Sequence, residues 1–435
     1  MVHGFNLREH LTVSNSGTLY EDNVPADIGI RIVRAHPDEG QFDFTLFGPV
    51  ITSADLNQQG ISKRPPKDIF ALVEECRKVW KSAVVDFRRR IDIEGETRFG
   101  FPFQDQWDFQ NEANIRDDIV PRLARAGEDL FTSIFEGRCD VGLKEIGQTI
   151  RSQLSSKGRH IAITSNTFFL PWGMLYTHPV EGGKLERDGT NWEKNGFWGY
   201  RHIVQQTPES YKLENGIRPD AAGGVTLSIN FDDRLLDMMN LPIIDEHINF
   251  LGGLGANIKR TKKSELELVF TQNRCSLERI LYFYCHGHGS SNDSGANMSP
   301  PHLELTDGVV TAFDFERWSE GGTLQLPTSP LVFINACQGG QMTTMFYKSF
   351  AVELLKEGAV GLIGAQIDIP AVFGAEYAKR VFAGFFARKN TEKVRLGPLL
   401  RAVNQTLWDE HRNPLGIVYS LYRGVDCFID WPNRT

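Results

Sequence analysis

Two stretches decide the reading: Ile280-Leu281-Tyr282-Phe283-Tyr284-Cys285-His286-Gly287-His288-Gly289, and Leu331-Val332-Phe333-Ile334-Asn335-Ala336-Cys337-Gln338-Gly339-Gly340. Each is a short apolar run that breaks into glycine, the pattern of a strand buried on both faces and ending at a sheet edge. The first delivers His-Gly and the second Ala-Cys-x-Gly. His286 precedes Cys337 by 51 positions (337 − 286). A His about fifty residues upstream of Gln-Ala-Cys-[Arg/Gln/Gly]-Gly is the spacing of one group of thiol nucleophiles and their bases. The match here is complete except for Asn335 at the Gln position.

The chemistry needs these residue types. A thiol of pKa about 8.5 is mostly protonated at neutral pH, and only the thiolate attacks. A neighbouring imidazole can take that proton and later give it to a leaving amine. Gly287 lets backbone N–H approach a substrate carbonyl with no side chain in the way. The N–H groups of Gly287 and Cys337 are therefore the expected oxyanion hole. Two histidines compete for the role of base. His286 follows the apolar run almost at once, whereas His288 is expected farther into the loop, and it stays as the alternative base. Cys76, Cys139, Cys275, Cys285 and Cys427 are expected to be small core residues without chemistry.

Outward from these runs, the pattern is regular from Gly224. Strands are expected at 225–231, 277–285, 331–336, 359–364 and 417–421. Helices are expected at 242–251, 264–270, 312–319, 345–356, 372–388 and 396–412. Alternation of strand and helix means a mostly parallel sheet with helices on both faces. Chemistry in such sheets sits at the carboxyl ends of the strands, where His286 and Cys337 both fall. The segment 289–307, rich in Gly, Ser, Asn and Pro, is expected as an active-site loop. Upstream, 28–33 and 42–47 suggest a small β-rich element. Residues 67–90 read as a helix, with Arg88-Arg89-Arg90 as its solvated end. Residues 95–114 read as a linker, 117–135 and 141–154 as helices, and 160–163 as a strand.

Composition fits. The 435 residues are 41% hydrophobic and 23% charged, ordinary for a globular chain and long enough for two or three domains. The net charge of −8 comes with no basic block, so neither nucleic acid nor an anionic membrane is indicated. Residues 1–16 hold Arg8, Glu9 and His10 with no apolar core, so no signal peptide is expected. Six scattered cysteines suggest a reducing compartment. His286-x-His288, with Cys285 beside it, offers N and S donors to a metal, but the further ligands that would complete a site are missing at any recognisable spacing. No metal or cofactor is expected.

At these motifs the sequence resembles the CHAT domain, a prokaryotic relative of caspases and separases. The resemblance rests on Leu170-Pro171-Trp172-Gly173-Met174-Leu175, Tyr282-Phe283-Tyr284-Cys285-His286-Gly287, Leu303-x-Leu305-x-Asp307-Gly308 and Ile334-Asn335-Ala336-Cys337. Gly358-Ala359-x-Gly361-x-Ile363-Gly364 and Asn413-Pro414-Leu415 add to it. It covers roughly residues 116–435, with a catalytic core at about 220–435; residues 1–115 form an N-terminal α+β region of unknown role. Gly173 replaces an acidic residue of the family pattern, at the expected cost of a local contact. Ile367 stands where a Trp is common.

The resemblance implies an α/β, caspase-haemoglobinase fold and a cysteine endopeptidase with a His286–Cys337 dyad. It also implies a cytoplasmic prokaryotic enzyme of defence or programmed death, acting on a protein substrate once a partner protein or ligand activates it. The rival reading is a catalytically inactive interaction module on the same fold. For specificity, Asp368 lies just past the strand that follows the nucleophile strand, where a carboxylate would favour Arg or Lys before the scissile bond. A neutral Asn335 weakens that preference.

Overall fold

In the computed structural model of the chain, the two apolar runs are buried on both sides of a sheet. Ile280, Tyr282 and Tyr284 pack into one core, and Leu281, Phe283 and Cys285 into a second on the opposite face. Side chains alternate across a strand, so a continuous apolar run is what a strand covered on both faces requires. The structure describes residues 26–36, 40–51, 58–93, 96–208, 216–220, 223–234, 242–271, 278–288, 300–318, 326, 328–337, 344–387 and 393–432. Within them, at 91–93, 96, 97, 113–117, 244, 288, 337 and 344–348, it describes the backbone and not the side chain.

The strands, in chain order, are β1 (Ile28–His36), β2 (Gln41–Phe47), β3 (Gln58–Ser62), β4 (Arg89–Ile93), β5 (Glu96–Gly100), β6 (His160–Thr164), β7 (Ile203–Thr207), β8 (Gly216–Ile217) and β9 (Leu227–Phe231). There follow β10 (Asn257–Arg260), β11 (Ile280–His288), β12 (His302–Leu305), β13 (Gly308–Thr311), β14 (Leu331–Cys337), β15 (Gly361–Ala365), β16 (Tyr419–Tyr422) and β17 (Phe428–Ile429). The longer helices are α1 (Pro66–Trp80), α2 (Ala113–Thr132), α3 (Val141–Ser156), α4 (Pro242–Gly252), α5 (Lys263–Thr271), α6 (Ala312–Trp318), α7 (Thr344–Lys356), α8 (Ala371–Phe385) and α9 (Leu396–Asp409).

Thirteen of the described strands form one sheet, in the order β10-β9-β11-β14-β15-β16-β7-β6-β1-β2-β3, with β12 and β13 branching from β11. Most neighbours along it are parallel; β15–β16, β1–β2 and β2–β3 are antiparallel. The fold is therefore α/β, a mostly parallel sheet flanked by helices. On one face, α5, α6 and α7 cover β11 and β14 through Phe270, Phe315, Trp318 and Phe350. On the other, α8 and α9 bring Phe382, Tyr377 and Trp408. Full burial of such side chains contributes about 1.5–3 kcal/mol each.

The stretch before residue 115 joins the same sheet, because β1 pairs in parallel with β6. Helix α1 starts at Pro66, where a missing N–H costs nothing, with Asp68 in its first turn. It buries Ile69, Val73, Cys76 and Trp80, one apolar stripe at helical spacing.

Several expectations are corrected. The helix foreseen to residue 90 ends at Trp80 and passes through a wider turn at Lys81–Val85; Arg89 and Arg90 lie, exposed, in β4. Residues 95–114 are not a linker. β5 pairs with β4, and Phe103 and Phe109 are fully buried with ring centroids 4.3 Å apart, so aromatic burial outweighs the polar neighbours. Strand β7 escaped notice because Gln205 and Gln206 break its apolar pattern. Both are buried, and Gln206 accepts from Trp172 Nε1 at 2.9 Å while donating to Phe168 O at 2.7 Å. The expected loop 289–307 contains β12, and residues 289–299 of it lie outside the described residues, as does Cys275. Cys76, Cys285 and Cys427 are buried, and burial pushes the Cys76 thiol up to about 12.

Candidate active site

β11 and β14 are parallel neighbours, in register from Ile280↔Leu331 to His286↔Cys337. That last pair is the end of the ladder. Neighbouring strands lie about 4.8 Å apart, so the two residue positions stand side by side at the carboxyl edge of the sheet. The pair before it, Cys285 and Ala336, is buried in the core of the opposite face. By alternation, positions 286 and 337 belong to the face of Tyr282, Tyr284, Phe333 and Asn335. His286 is half-buried and Gly287 is buried. The side chains of His288 and Cys337, and residues 338–340, lie outside the described structure.

His288 is not in a loop. β11 continues through it, and there a second partner takes over: Gly287 faces Leu303 and His288 faces His302 of β12 in an antiparallel ladder. β12 and β13 form a hairpin closed by the turn Thr306-Asp307, and both its flanks are tied down. Asp307 accepts from Ser264 Oγ at 2.7 Å and from the backbone N–H of Lys263 at 2.5 Å. Burial pushes its carboxyl up, but these donors prevail and hold it below the usual range. Thr306 Oγ1 donates to Asp233 at 2.5 Å, and Arg234 bridges Asp232 at 2.7 Å and Glu304 at 3.1 Å. These ties run from the ends of β9 and α5 to the hairpin that meets Gly287.

Two residues before Cys337, Asn335 is wholly buried. Its Nδ2 donates to Tyr282 Oη at 2.9 Å and to Gly374 O at 2.7 Å, and its Oδ1 accepts from Tyr419 Oη at 2.6 Å. Tyr282 Oη in turn lies 2.8 Å from His247 Nε2. Burial lowers His247 to about 3, so the ring is neutral. Gly374 is needed here, since a Cβ would meet Asn335 Oδ1 at 2.9 Å. The sequence suggested a specificity role for Asn335. In the structure it is buried within β14 and binds α8 and β16 to that strand. The Asn-Ala-Cys triplet was the one signal of its importance.

Asp368 and Ile367 follow β15. The β14–β15 ladder reaches Ile334↔Gly364. Cys337 stands three residues past one member of that pair, and Ile367 three past the other. Both Ile367 and Asp368 line an open pocket of about 360 Å³ whose other wall is α1. Gln366, one residue earlier, accepts from Arg77 Nη2 at 2.5 Å and donates to Tyr422 Oη at 2.6 Å. Sequence reading had no means of placing α1 there.

The Pro-Trp motif lies deep. Trp172 is buried, and a Cβ on Gly173 would meet the carbonyl of Ile417 at 2.5 Å. The glycine is therefore a packing requirement of this chain, and an acidic side chain would not fit. Asn413 of the Asn-Pro-Leu motif caps the turn after it, accepting from Leu415 N–H at 3.0 Å.

Residues 271–422 match the model of peptidase family C25. The match spans both His286 and Cys337 and supports a cysteine peptidase. Among solved structures, the chain is similar to the complex of RgpB pro- and mature domains of Porphyromonas gingivalis, at 11% identity and a TM-score of 0.37, over 65% of this chain and 69% of that one. It is similar to the Saccharomyces cerevisiae separase–securin complex at 9% identity and a TM-score of 0.45, over 91% of this chain and 30% of that one. No curated protein matches it. No described helix is long and apolar enough to cross a membrane.

Proposed function

We propose that this chain is a cysteine endopeptidase of the caspase-like kind, with Cys337 as nucleophile and His286 as base. The observation that carries the reading is the His286↔Cys337 register at the carboxyl end of two parallel strands. The family C25 match over 271–422 supports it. His286 takes the thiol proton, and the sulfur attacks the scissile carbonyl carbon. The N–H groups of Gly287 and Cys337 hold the oxyanion as it forms. Collapse breaks the C–N bond, His286 returns the proton to the leaving amine, and a thioester remains. Water, giving a proton to His286, then cleaves the thioester and restores the thiol.

Asp368, beside the nucleophile strand, receives the substrate side chain before the scissile bond and favours Arg or Lys. The resemblance to CHAT domains supports a cytoplasmic prokaryotic enzyme that waits on a partner or ligand before acting in defence. The test of the dyad is affinity labelling. A peptidyl chloromethylketone should modify the protein once, on the tryptic peptide carrying Cys337, and His286→Ala should slow that labelling at least about tenfold. Equal labelling of several cysteines, indifferent to His286, would contradict the assignment.

A further inference from the structure

We propose that helix α1, from the stretch before residue 115, is the outer wall of the substrate side-chain pocket, and that Glu75 and Lys78 on it set how strongly the pocket prefers a cationic side chain. The proposal rests on the peptidase reading only in naming the occupant as a substrate side chain.

Three observations carry it. The first is placement. The pocket of about 360 Å³ has Ile367 and Asp368 on one side and Ala71, Glu75, Lys78 and Lys81 of α1 and the turn after it on the other. It opens one strand over from the end of β14. Its size is that of a site for one long side chain or small ligand.

The second is anchorage. Arg77 is a buried cation on this helix, only 4% exposed. It donates to Glu74 at 2.7 Å and to Gln366 at 2.5 Å, and Gln366 is bonded to Tyr422 at 2.6 Å. Its terminal nitrogens Nη1 and Nη2 carry these bonds, which offset part of the cost of burying the cation. The Nη2 bond to Gln366 ties the helix to the segment that leads into Ile367 and Asp368.

The third is charge. Lys81 is paired with Asp86 at 2.9 Å, and Arg77 with Glu74. Glu75 and Lys78 are exposed and make no ion pair with any described residue. The charged residues that line the pocket are three carboxylates (Glu74, Glu75, Asp368) and three cations (Arg77, Lys78, Lys81). A cation entering the pocket is attracted by its carboxylates. Glu75 adds to this attraction and Lys78 opposes it, so the two exposed residues act in opposite directions.

The test uses binding, so that it does not depend on catalysis. Full-length protein carrying Cys337→Ala is titrated with fluorescein-labelled peptides that differ only in arginine or its neutral isostere citrulline at one position. The expected result is a preference for arginine that falls roughly three- to tenfold in Glu75→Lys and rises by a similar factor in Lys78→Glu. Both changes should shrink as salt is raised, because an exposed rim charge is screened. The same arginine/citrulline ratio in all three proteins, or no binding of any peptide, overturns the proposal. Opposite shifts in binding, with wild-type protein leaving the peptides uncut, would uphold the pocket and sink the peptidase reading instead.

Discussion

His286 and Cys337 are partners in the last rung of the β11–β14 parallel ladder. Each is carried there by a strand buried on both faces, and rotation of either strand would expose part of a core. The rung is thus fixed by the packing of Tyr282, Phe283, Phe333 and Ile334 beneath it. A nucleophile and base held on rigid strands need little rearrangement to react.

The rung separates the two histidines. His288 lies one alternation farther along β11 and is paired with His302, away from β14. His286→Ala should therefore reduce peptide cleavage to near the level of Cys337→Ala, since nucleophile and base act as a unit and their losses do not add. His288→Ala should be milder. Initial rates on one peptide decide it, and the reverse ranking moves the base to His288.

Asn335 joins β14 to α8 and β16 through buried hydrogen bonds to Gly374 and Tyr419. Asn335→Ala leaves the buried Gly374 carbonyl and the Tyr282 and Tyr419 hydroxyls without that partner. The expected loss is about 2–4 kcal/mol of stability, read as a lower urea midpoint. A midpoint within about 0.5 kcal/mol of wild type would show that the network carries little.

Two buried histidines set a pH limit. Burial lowers His202 to about 3, with Arg201, Arg401 and Arg159 adding to it, and burial likewise lowers His247 to about 3. Both start from an ordinary value of 6.5. Below that value the unfolded chain binds protons that the folded one refuses, so stability is full above it and falls as pH drops from about 6.5 towards 3. The loss should reach about 2 kcal/mol per histidine by pH 5. The depressed carboxylates, Asp108, Asp307 and Asp314, start from 3.8 and release their contribution only near and below that value, so the window from pH 6.5 to 5 reports the histidines. Melting temperatures measured across it should decline steadily; a flat profile contradicts the burial argument.

In the proposed peptidase reading, Asp368 sets specificity. A charge-assisted pair with substrate Arg in a partly dry pocket contributes roughly 1.5–3 kcal/mol, or about ten- to a hundredfold over an isosteric neutral side chain. Asp368→Asn should lose most of that preference and leave the alkylation rate of Cys337 unchanged. A peptide library that shows an apolar or acidic residue before the scissile bond, indifferent to Asp368→Asn, returns Asp368 to a role in the turn before Pro370.

The sequence was most legible where burial is two-sided. Runs such as 280–285 and 331–336 declare themselves because both faces need apolar residues, and their order with the intervening helices sufficed for a parallel sheet. Strand β7 was hidden because its interior is partly polar, with Gln205 and Gln206 buried by hydrogen bonds that composition does not show. Strand β12 lies in the Gly-, Ser-, Asn- and Pro-rich stretch 289–307 and is only four residues long, held by ties at Asp307, Thr306 and Glu304 that no local pattern shows. Of the site, the residue types and spacing of His286 and Cys337 were readable in one dimension. The approach of α1 to Asp368 links residues almost three hundred positions apart, and no local pattern encodes it.

The central claim is that Cys337 is a peptidase nucleophile. It is tested most directly by incubating wild-type and Cys337→Ala protein with a peptide library and reading the products by mass spectrometry, with matched melting curves for the two proteins. The expected result is cleavage by wild type that thiol alkylation stops, and none above background by the variant at unchanged fold. Cleavage by Cys337→Ala at the wild-type rate would contradict it.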